Sequence, residues 1–243
     1  MNIKDRVALV TGAGSGIGRA VSRELANRGA KAVILVDRRD EAFQLADNIN
    51  SELGRQVAEA KVGDAIPRDA LAVAMDKTTG RAQPYSITAF REVTEVNLIA
   101  PVYWAIDMVV RLAEDRFKRG LKQWQPAEEV QGAVVFIGSV SSLGNKGEIA
   151  YAVSKAGLEG AAATLTKEAM YYGVRCGIIH PGFTDTPMVR ALGEDYIAKY
   201  ILPFTQLRRL IRPAEIADAI CFMIANPAVS GELWADAGWH PQA

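Results

Sequence analysis

The sequence predicts an α/β fold: a doubly wound parallel sheet flanked by helices, in a single domain over residues 1–243. Short apolar runs alternate with helical patterns along the chain, which is typical of βα units. A glycine-rich turn follows the first apolar run, and an acidic residue ends the second. In such sheets the ligand site lies at the carboxyl ends of the strands, so we expect the functional residues there.

Each element is predicted from a local signal. Strands are placed where apolar residues run together between turn residues, and helices where apolar residues recur every three or four positions. A segment near 114–131 is charged and reads as a surface insertion. The elements in order are strand 7–10, helix 17–28, strand 32–36, helix 41–53, a weaker strand near 57–62, a long helix 88–117 bent at Pro101, strand 134–138, helix 150–172, strand 174–180, helix 214–224 and a short strand near 233.

Composition excludes several function classes. Lys plus Arg number 28 and Asp plus Glu number 28, which argues against a basic nucleic-acid or membrane surface. No leader opens the chain, and no apolar run approaches the ~20 residues that span a bilayer. The two cysteines, Cys176 and Cys221, fit a reducing compartment. We therefore expect a cytoplasmic globular protein, without a metal site.

The turn at residues 11–18 reads TGAGSGIG and lies between the first strand and the first helix. A dinucleotide pyrophosphate needs a tight turn, a close backbone approach and free N–H groups at a helix start. The features follow in the order that this binding mode requires: a strand, the glycines, a helix, and an acid 19 residues after the last glycine. The predicted cofactor-binding residues of this turn are Gly12, Ser15, Gly16, Ile17 and Gly18.

That acid is Asp37, at the end of the second strand. A carboxylate there accepts the hydroxyls of the adenosine ribose and repels a 2′-phosphate, so NAD is favoured over NADP. Arg38 and Arg39 follow directly and are the residues that would instead hold a phosphate. Asp64, at the end of the third strand, is a candidate acceptor for the adenine amino group, with a plain turn aspartate as the alternative.

Tyr151 and Lys155 stand four residues apart at the start of a helix, so both side chains lie on one face. A free tyrosine has a pKa of about 10, and a neighbouring ammonium favours the phenolate. Tyr151 is then a candidate general acid in reduction and general base in oxidation. Ser139 ends a strand twelve residues before Tyr151 and is the candidate to hold a substrate oxygen, with Ser141 and Ser142 as rivals.

These residues resemble the short-chain dehydrogenase/reductase superfamily in its single-domain form. The TGxxxGxG turn, the YxxxK pair, the preceding Ser139 and Pro181-Gly182 after a strand all match, and the resemblance spans nearly the whole chain. It implies a Rossmann-type sheet of seven parallel strands. It also implies an NAD(P)-dependent oxidoreductase that interconverts a secondary alcohol and a ketone, in a homodimer or homotetramer.

The resemblance assigns roles by position. It implies that Tyr151 is the acid/base, that Lys155 holds the nicotinamide ribose and lowers the tyrosine pKa, and that Ser139 orients the substrate. Asn97 matches the asparagine that supports a proton-relay water. His180 is read as structural. The segment that contacts the nicotinamide end comprises Pro181, Gly182, Thr184 and Thr186.

One family motif is missing. The Asn-Asn-Ala-Gly sequence that ends the fourth strand is absent between Asp64 and Asn97, and about one strand and one helix are lacking there. This strand would lie beside the first one, so its loss would leave buried backbone groups unpaired, each costing on the order of 1–3 kcal/mol. Either this sequence omits residues that the protein has, which predicts a broken chain near 64–66, or the deletion is real and another segment fills the gap.

Two other function classes stay open. A dinucleotide-binding regulatory or scaffold protein without turnover would keep the turn and not need Tyr151. A lyase, dehydratase or epimerase can use the same fold. The residues 188–210 should cover the site, and they mix apolar residues with Arg190, Lys199, Arg208 and Arg209. Solvated surface charges are the favoured account of these arginines, and an apolar substrate with an acidic handle, such as an acyl thioester, is the alternative. Steroid, sugar and polyol substrates also remain open.

Overall fold

A computed structural model describes residues 2–38, 40–62, 86–145 and 147–239. Within these ranges the chain forms six strands and eight α-helices. The strands are β1 Val7–Thr11, β2 Ala32–Asp37, β3 Ala58–Val62, β4 Gly132–Ile137, β5 Val174–Pro181 and β6 Gly231–Ala235. The helices are α1 Gly16–Asn27, α2 Glu41–Leu53, α3 Ile87–Thr94, α4 Ala100–Lys118, α5 Ile149–Glu168, α6 Pro187–Arg190, α7 Glu194–Tyr200 and α8 Pro213–Ala225.

The chain divides into two compact units. The first comprises Met1–Ala65, Pro181–Ala228 and Trp234–Ala243, and the second comprises Ile66–His180 and Val229–Leu233. The prediction of a single domain over residues 1–243 stays a prediction. The two units together hold the predicted α/β pattern of parallel strands and helices.

The first unit contains a three-stranded parallel sheet in the order β1-β2-β3. Val7 is opposite Ala32, and Val33 is opposite Ala58. Val33 and Leu35 of the central strand β2 are fully buried, and α1 and α2 both pack against this strand. α1 packs against both α2 and α8. This arrangement brings the ends of β1 and β2 together, where the glycine turn and Asp37 stand.

β1 lies at the edge of this sheet. Among the described residues it pairs only with β2, and its side chains Val7 and Leu9 are 64% and 46% exposed. The family pattern places the missing strand beside β1. We expected the family motif between Asp64 and Asn97, and most of that stretch, residues 63–85, lies outside the described residues. The expected break near 64–66 lies outside them as well.

The second unit is built around a sheet in the order β4-β5-β6, with β4 and β5 parallel and Gly132 opposite Val174. β5 is buried along its whole length. Burial raises the pKa of the Cys176 thiol in this strand to about 12. The described residues therefore form two three-stranded sheets, whereas the resemblance implied one sheet of seven strands.

A continuous helical run extends over Ile87–Lys118. It contains a π-helical segment, Glu95–Ile99, between α3 and α4. The run departs from α-helical geometry at this segment, and Pro101, where we predicted a bend, lies directly after it as the second residue of α4. By length and composition alone the run could cross a bilayer, as could core helices of many soluble proteins, and 17% of its most apolar window is buried. Our expectation that the chain has no membrane span stays a prediction.

The segment predicted as a surface insertion at 114–131 is ordered around one buried arginine. Arg116 is 1% exposed, and its guanidinium donates to both carboxylate oxygens of Glu128 and to the carbonyl of Lys122. The carboxylate raises the pKa of Arg116, whose own charge lowers the pKa of Glu128. The Trp124 ring packs on Gly173, where it leaves no room for a Cβ, so only glycine permits the approach. The insertion is thus tied to the helix that precedes it.

Candidate active site

The glycine turn of the first unit has the backbone geometry that the sequence predicts. Gly12 and Gly16 have φ values of 65° and 54°, which favour glycine. A Cβ on Gly18 would lie 2.1 Å from the carbonyl oxygen of Gly12, so only glycine fits there. The space beside Gly12 is open, since nothing would lie within 4 Å of an added Cβ.

Asp37 is held against this turn. The backbone N–H of Gly14 donates to its Oδ2 at 2.8 Å, and Asp37 is 7% exposed. A Cβ on Gly14 would lie 3.0 Å from the same oxygen, so Gly14 permits the approach. One carboxylate oxygen is thus engaged with the turn while the negative charge stays at the end of β2.

The segment after β5 adjoins the turn within the same unit. Gly182 packs on the backbone of Asp236, and Thr184 donates to the carbonyl of Gly182 at 3.0 Å. Thr186 accepts from the N–H of Val189 and thereby caps α6. Its methyl carbon lies 3.1 Å from the position of a Cβ added to Gly16.

These features fit a nicotinamide dinucleotide. The start of α1 at Gly16 presents backbone N–H groups and the positive end of a helix dipole. The open space beside Gly12 leaves room for a pyrophosphate, and the carboxylate of Asp37 is an acceptor for ribose hydroxyls. Gly12, Ser15, Gly16, Ile17, Gly18 and Asp37 therefore remain the predicted cofactor-binding residues of this unit.

The predicted acid/base pair lies in the second unit, in the first turns of α5. The Nζ of Lys155 is 5.6 Å from the centre of the Tyr151 ring. The ammonium donates to the carbonyl of Ile137 at 2.8 Å, which links α5 to the end of β4. Pairing across one helical turn and the strand contact together fix Lys155 beside the tyrosine.

Ser139 follows β4 by two residues and is 8% exposed. Its Oγ accepts from the N–H of Ser141 at 3.1 Å, so the side chain caps a 3₁₀ turn over Val140–Leu143. A hydroxyl that accepts in this way keeps its own proton for donation to a substrate oxygen. Its rival Ser141 is 7% exposed, whereas Ser142 is half-buried and lies 3.4 Å from a ring nitrogen of His180.

Asn97 lies in the π-helical segment and is 7% exposed. This segment packs against α5, as does the 3₁₀ turn that Ser139 begins. Single π-turns within helices occur often at functional sites. Asn97 and Ser139 thus belong to elements that pack against α5, the helix that carries Tyr151 and Lys155.

The residues that we expected to cover the site form α6, α7 and a small apolar cluster in the first unit. Ile197, Ile201 and Leu210 are buried there, and Phe183 and Trp239 pack against them. Two of the arginines considered for substrate binding have partners of their own. Arg190 donates to Asp185 and Glu194, and Arg209 donates to both oxygens of Glu215. The guanidinium of Arg190 lowers the pKa of Asp185.

The predicted site residues therefore fall into two sets, each within one unit. Those of the turn, Asp37 and the Pro181–Thr186 segment belong to the first unit, and the catalytic candidates belong to the second. Asp64 lies outside the described residues. Two contacts were missed from sequence. The N–H of Gly14 donates to Asp37, a contact that the spacing of the turn could have indicated. Lys155 donates to the Ile137 carbonyl, and no sequence signal reveals this contact.

Comparison with known proteins identifies relatives over the full length of the chain. A family model described as enoyl-(acyl carrier protein) reductase matches residues 12–240. Acetoacetyl-CoA reductase of Synechocystis is 30% identical over 250 residues, covering 99% of this chain and 98% of the relative. The 3-oxoacyl-[acyl-carrier-protein] reductase of Escherichia coli is 31% identical over 252 residues, covering 96% of each.

Solved structures show the same fold. An NAD(P)-dependent gluconate 5-dehydrogenase from Beutenbergia cavernae, with bound NADP, superposes with a TM-score of 0.76 at 26% identity and covers 98% of this chain and 99% of its own. A blue fluorescent protein from a metagenomic library, in complex with NADPH, gives 0.76 at 22% identity with the same coverage. The NADP bound to the gluconate 5-dehydrogenase, at 26% identity, does not support our expectation that NADP is the less favoured form.

The family match and the relatives agree with the ordered motifs. The turn, Ser139, and the pair Tyr151 and Lys155 stand in the chain order that the family requires. The chain belongs to the short-chain dehydrogenase/reductase superfamily, whose members are NAD(P)-dependent oxidoreductases that interconvert alcohols and carbonyl compounds.

Proposed function

We propose that this chain reduces the 3-oxo group of an acyl thioester to a hydroxyl group, with Tyr151 as the proton donor. The observation that carries the proposal is the placement of Lys155, whose ammonium lies 5.6 Å from the Tyr151 ring and is fixed to the end of β4. An ammonium at this distance favours the phenolate that forms when Tyr151 gives up its proton.

The roles of the residues follow from their hydrogen-bonding capacity. A bound nicotinamide dinucleotide supplies the hydride. The phenol of Tyr151 gives its proton to the carbonyl oxygen, so that the oxygen becomes a hydroxyl group while the carbon gains the hydride. The hydroxyl of Ser139 donates its proton to the same oxygen and orients it, since the contact with the N–H of Ser141 occupies only a lone pair of the hydroxyl and leaves its proton available. Lys155 and Asn97 are assigned to the ribose and to a relay water through the family resemblance.

The substrate class is supported by the relatives and by residues 188–210, the cover segment that we expect over the site. The two curated relatives are reductases of acetoacetyl-CoA and of 3-oxoacyl groups on a carrier protein. In this chain Met188, Leu192 and Leu207 of the cover segment expose apolar side chains. Arg190 and Arg209 are neutralised by carboxylates, so an apolar acyl chain suits this segment better than a charged sugar.

We also propose that both NAD and NADP bind and that Asp37 sets the ratio of the affinities for the two cofactors. The carboxylate at the end of β2 favours the free ribose of NAD. The solved relative with bound NADP and the exposed Arg38 directly after Asp37 support the phosphorylated form. Assembly as a homodimer or homotetramer and a cytoplasmic location complete the proposal.

The experiment is a comparison of acetoacetyl-CoA reduction by the wild-type chain and by Tyr151→Phe, with NADH and with NADPH. Removing the hydroxyl deletes the proton donor but keeps the ring. We expect kcat to fall roughly 100-fold or more, since positioned proton transfer contributes about 10²–10⁴-fold. Nicotinamide fluorescence should report unchanged cofactor binding. Tyr172→Phe, at a half-buried tyrosine after α5, is the control and should keep full activity.

The outcomes separate the functions that the fold allows. Equal activity of the wild-type chain and Tyr151→Phe would contradict Tyr151 as the proton donor. Cofactor binding without turnover of acetoacetyl-CoA or of other ketones would favour a regulatory or scaffold protein. Turnover of a hydroxyacyl thioester to an enoyl product without net change in the cofactor would instead indicate a dehydratase.

A further inference from the structure

His180 lies at the end of β5, in the second unit, and is completely buried. Its ring occupies space that only a glycine at position 138 leaves free, because a Cβ there would lie 2.5 Å from Nδ1. Gly138 also donates its N–H to the carbonyl of Ile179 at 2.7 Å, which keeps the two strand ends in register. The imidazole is therefore locked against the residue that precedes Ser139.

The ring contacts the backbone of Ser139 itself. Nδ1 lies 3.3 Å from the carbonyl oxygen of Ser139 and 3.4 Å from the hydroxyl of Ser142. Because a carbonyl oxygen can only accept, the first contact places the ring proton on Nδ1. The same carbonyl accepts from the N–H of Ser142 at 3.0 Å. His180 thus holds both ends of the short turn that presents the Ser139 hydroxyl.

Two carboxylates flank the imidazole from other elements. Glu159 of α5 lies 4.0 Å from Nδ1, and Glu232 of β6 lies 3.8 Å from Nε2. Glu159 follows Lys155 by four residues and Tyr151 by eight, so all three share one face of α5. His180 therefore stands where the Ser139 turn, the helix of the acid/base pair and β6 meet.

We propose that His180 is a positioning residue that fixes the Ser139 turn relative to α5 through its Nδ1–H, an inference that rests on the proposed reductase function. The contact of Nδ1–H with the Ser139 carbonyl sets the direction of the Ser139 backbone, and the backbone in turn sets the position of the Ser139 hydroxyl. The ring also keeps the turn at a fixed distance from the helix face that carries Tyr151. Displacements of about 1 Å at such groups can lower rates roughly 100-fold.

A pair of variants separates the two ring nitrogens. His180→Asn places an amide N–H near the position of Nδ1, while His180→Gln places it near Nε2 and loses the contact with the Ser139 carbonyl. We expect His180→Gln to lower kcat about tenfold or more and His180→Asn to stay within about threefold of the wild type. KM and the dissociation constant of the cofactor should change less than about twofold, since Ser139 acts on the reacting oxygen.

The double variant Ser139→Ala/His180→Gln tests whether His180 acts through Ser139. If His180 acts through Ser139, adding His180→Gln to Ser139→Ala should lower kcat by less than about twofold more. Thermal unfolding of each variant reports whether the fold persists. The inference would be overturned if His180→Asn and His180→Gln lowered kcat equally. It would also be overturned if His180→Gln lowered kcat as much in the Ser139→Ala background as in the wild type. Either result would leave the proposed function intact. A wild-type chain without turnover, or one indifferent to Tyr151→Phe, would overturn both.

Discussion

Asp37 has a structural role, and we propose an electrostatic one for the same side chain. Its Oδ2 accepts from the N–H of Gly14 and holds the glycine turn against the end of β2. The proposed role is to hold the adenosine ribose and repel a 2′-phosphate. A substitution that keeps the acceptor and removes the charge separates the two roles. Asparagine does this, because its carbonyl oxygen accepts as the carboxylate does.

We expect Asp37→Asn to raise affinity for NADPH relative to NADH about tenfold. A factor of ten corresponds to about 1.4 kcal/mol, which is the scale of one close charge repulsion that is partly exposed to solvent. Titrations followed by nicotinamide fluorescence measure both dissociation constants. Asp40→Asn removes an exposed charge three residues further along and should leave the ratio unchanged. An unchanged ratio in Asp37→Asn would refute the assigned role of this carboxylate.

At the scale of elements, α8 begins with a concentrated ion cluster. Glu215 in its first turn accepts from the guanidinium groups of Arg209 and Arg212 and from the N–H of Arg212 at 2.8 Å. Arg209 first, and then Arg212, hold the pKa of Glu215 far below its ordinary value of 4.5. A carboxylate with a lowered pKa stabilises the fold above its unfolded-state pKa, and this contribution is lost as the pH falls.

The acid stability of the protein should therefore depend on Glu215. We expect the melting temperature to fall between roughly pH 5 and pH 3, and to fall less steeply in Glu215→Gln than in the wild type. Differential scanning calorimetry over this range provides the measurement. Glu41→Gln, in the first turn of α2, is the matched control and should follow the wild-type profile. A Glu215→Gln profile parallel to that of the wild type would show that the cluster contributes nothing to acid stability.

At the scale of the whole molecule, α4 leaves an apolar face uncovered. Tyr103, Ile106 and Val110 lie on one side of this helix and are 66%, 43% and 47% exposed. Exposed apolar patches on soluble proteins mark interaction surfaces. The homo-oligomer that we propose would bury this face against another copy of the chain.

Light scattering coupled to size exclusion should then give two or four times the chain mass of 26.3 kDa. The double substitution Ile106→Arg and Val110→Arg should reduce this to the mass of one chain, because two guanidinium groups oppose burial of the face. Phe43→Arg, at an equally exposed position on α2, should keep the wild-type mass. A wild-type chain that runs at 26.3 kDa, or that binds lipid vesicles through this face, would contradict the proposal.

Local patterns in the sequence predicted the elements that carry the chemistry. β1, the glycine turn and α1 follow from an apolar run, required glycines and helical spacing. The same local rule places Tyr151 and Lys155 on one face of α5. These features depend on neighbours within about one helical turn or one strand, which is why periodicity reveals them.

Features that depend on distant partners could not be predicted. The π-helical segment around Asn97 reflects packing against α5, and neither Asn97 nor its neighbours differ from ordinary helical residues. Arg116 looks like a surface charge, yet it is buried because Glu128 and the Lys122 carbonyl converge on it. The division of the strands into two sheets depends on pairing between residues far apart in the chain, which composition does not encode.

The open edge of β1 bears on the solubility of the protein. The five residues VALVT contain no charge and no proline, and within the described part of the chain their outer backbone donors and acceptors face no other strand. Edges of this kind are templates on which further chains add by backbone pairing. With a formal net charge of zero and a pI near 6.8, copies of the chain do not repel one another near neutral pH. We therefore expect the strand that leads into the cofactor turn, as it stands among the described residues, to limit the concentration at which the protein stays dispersed.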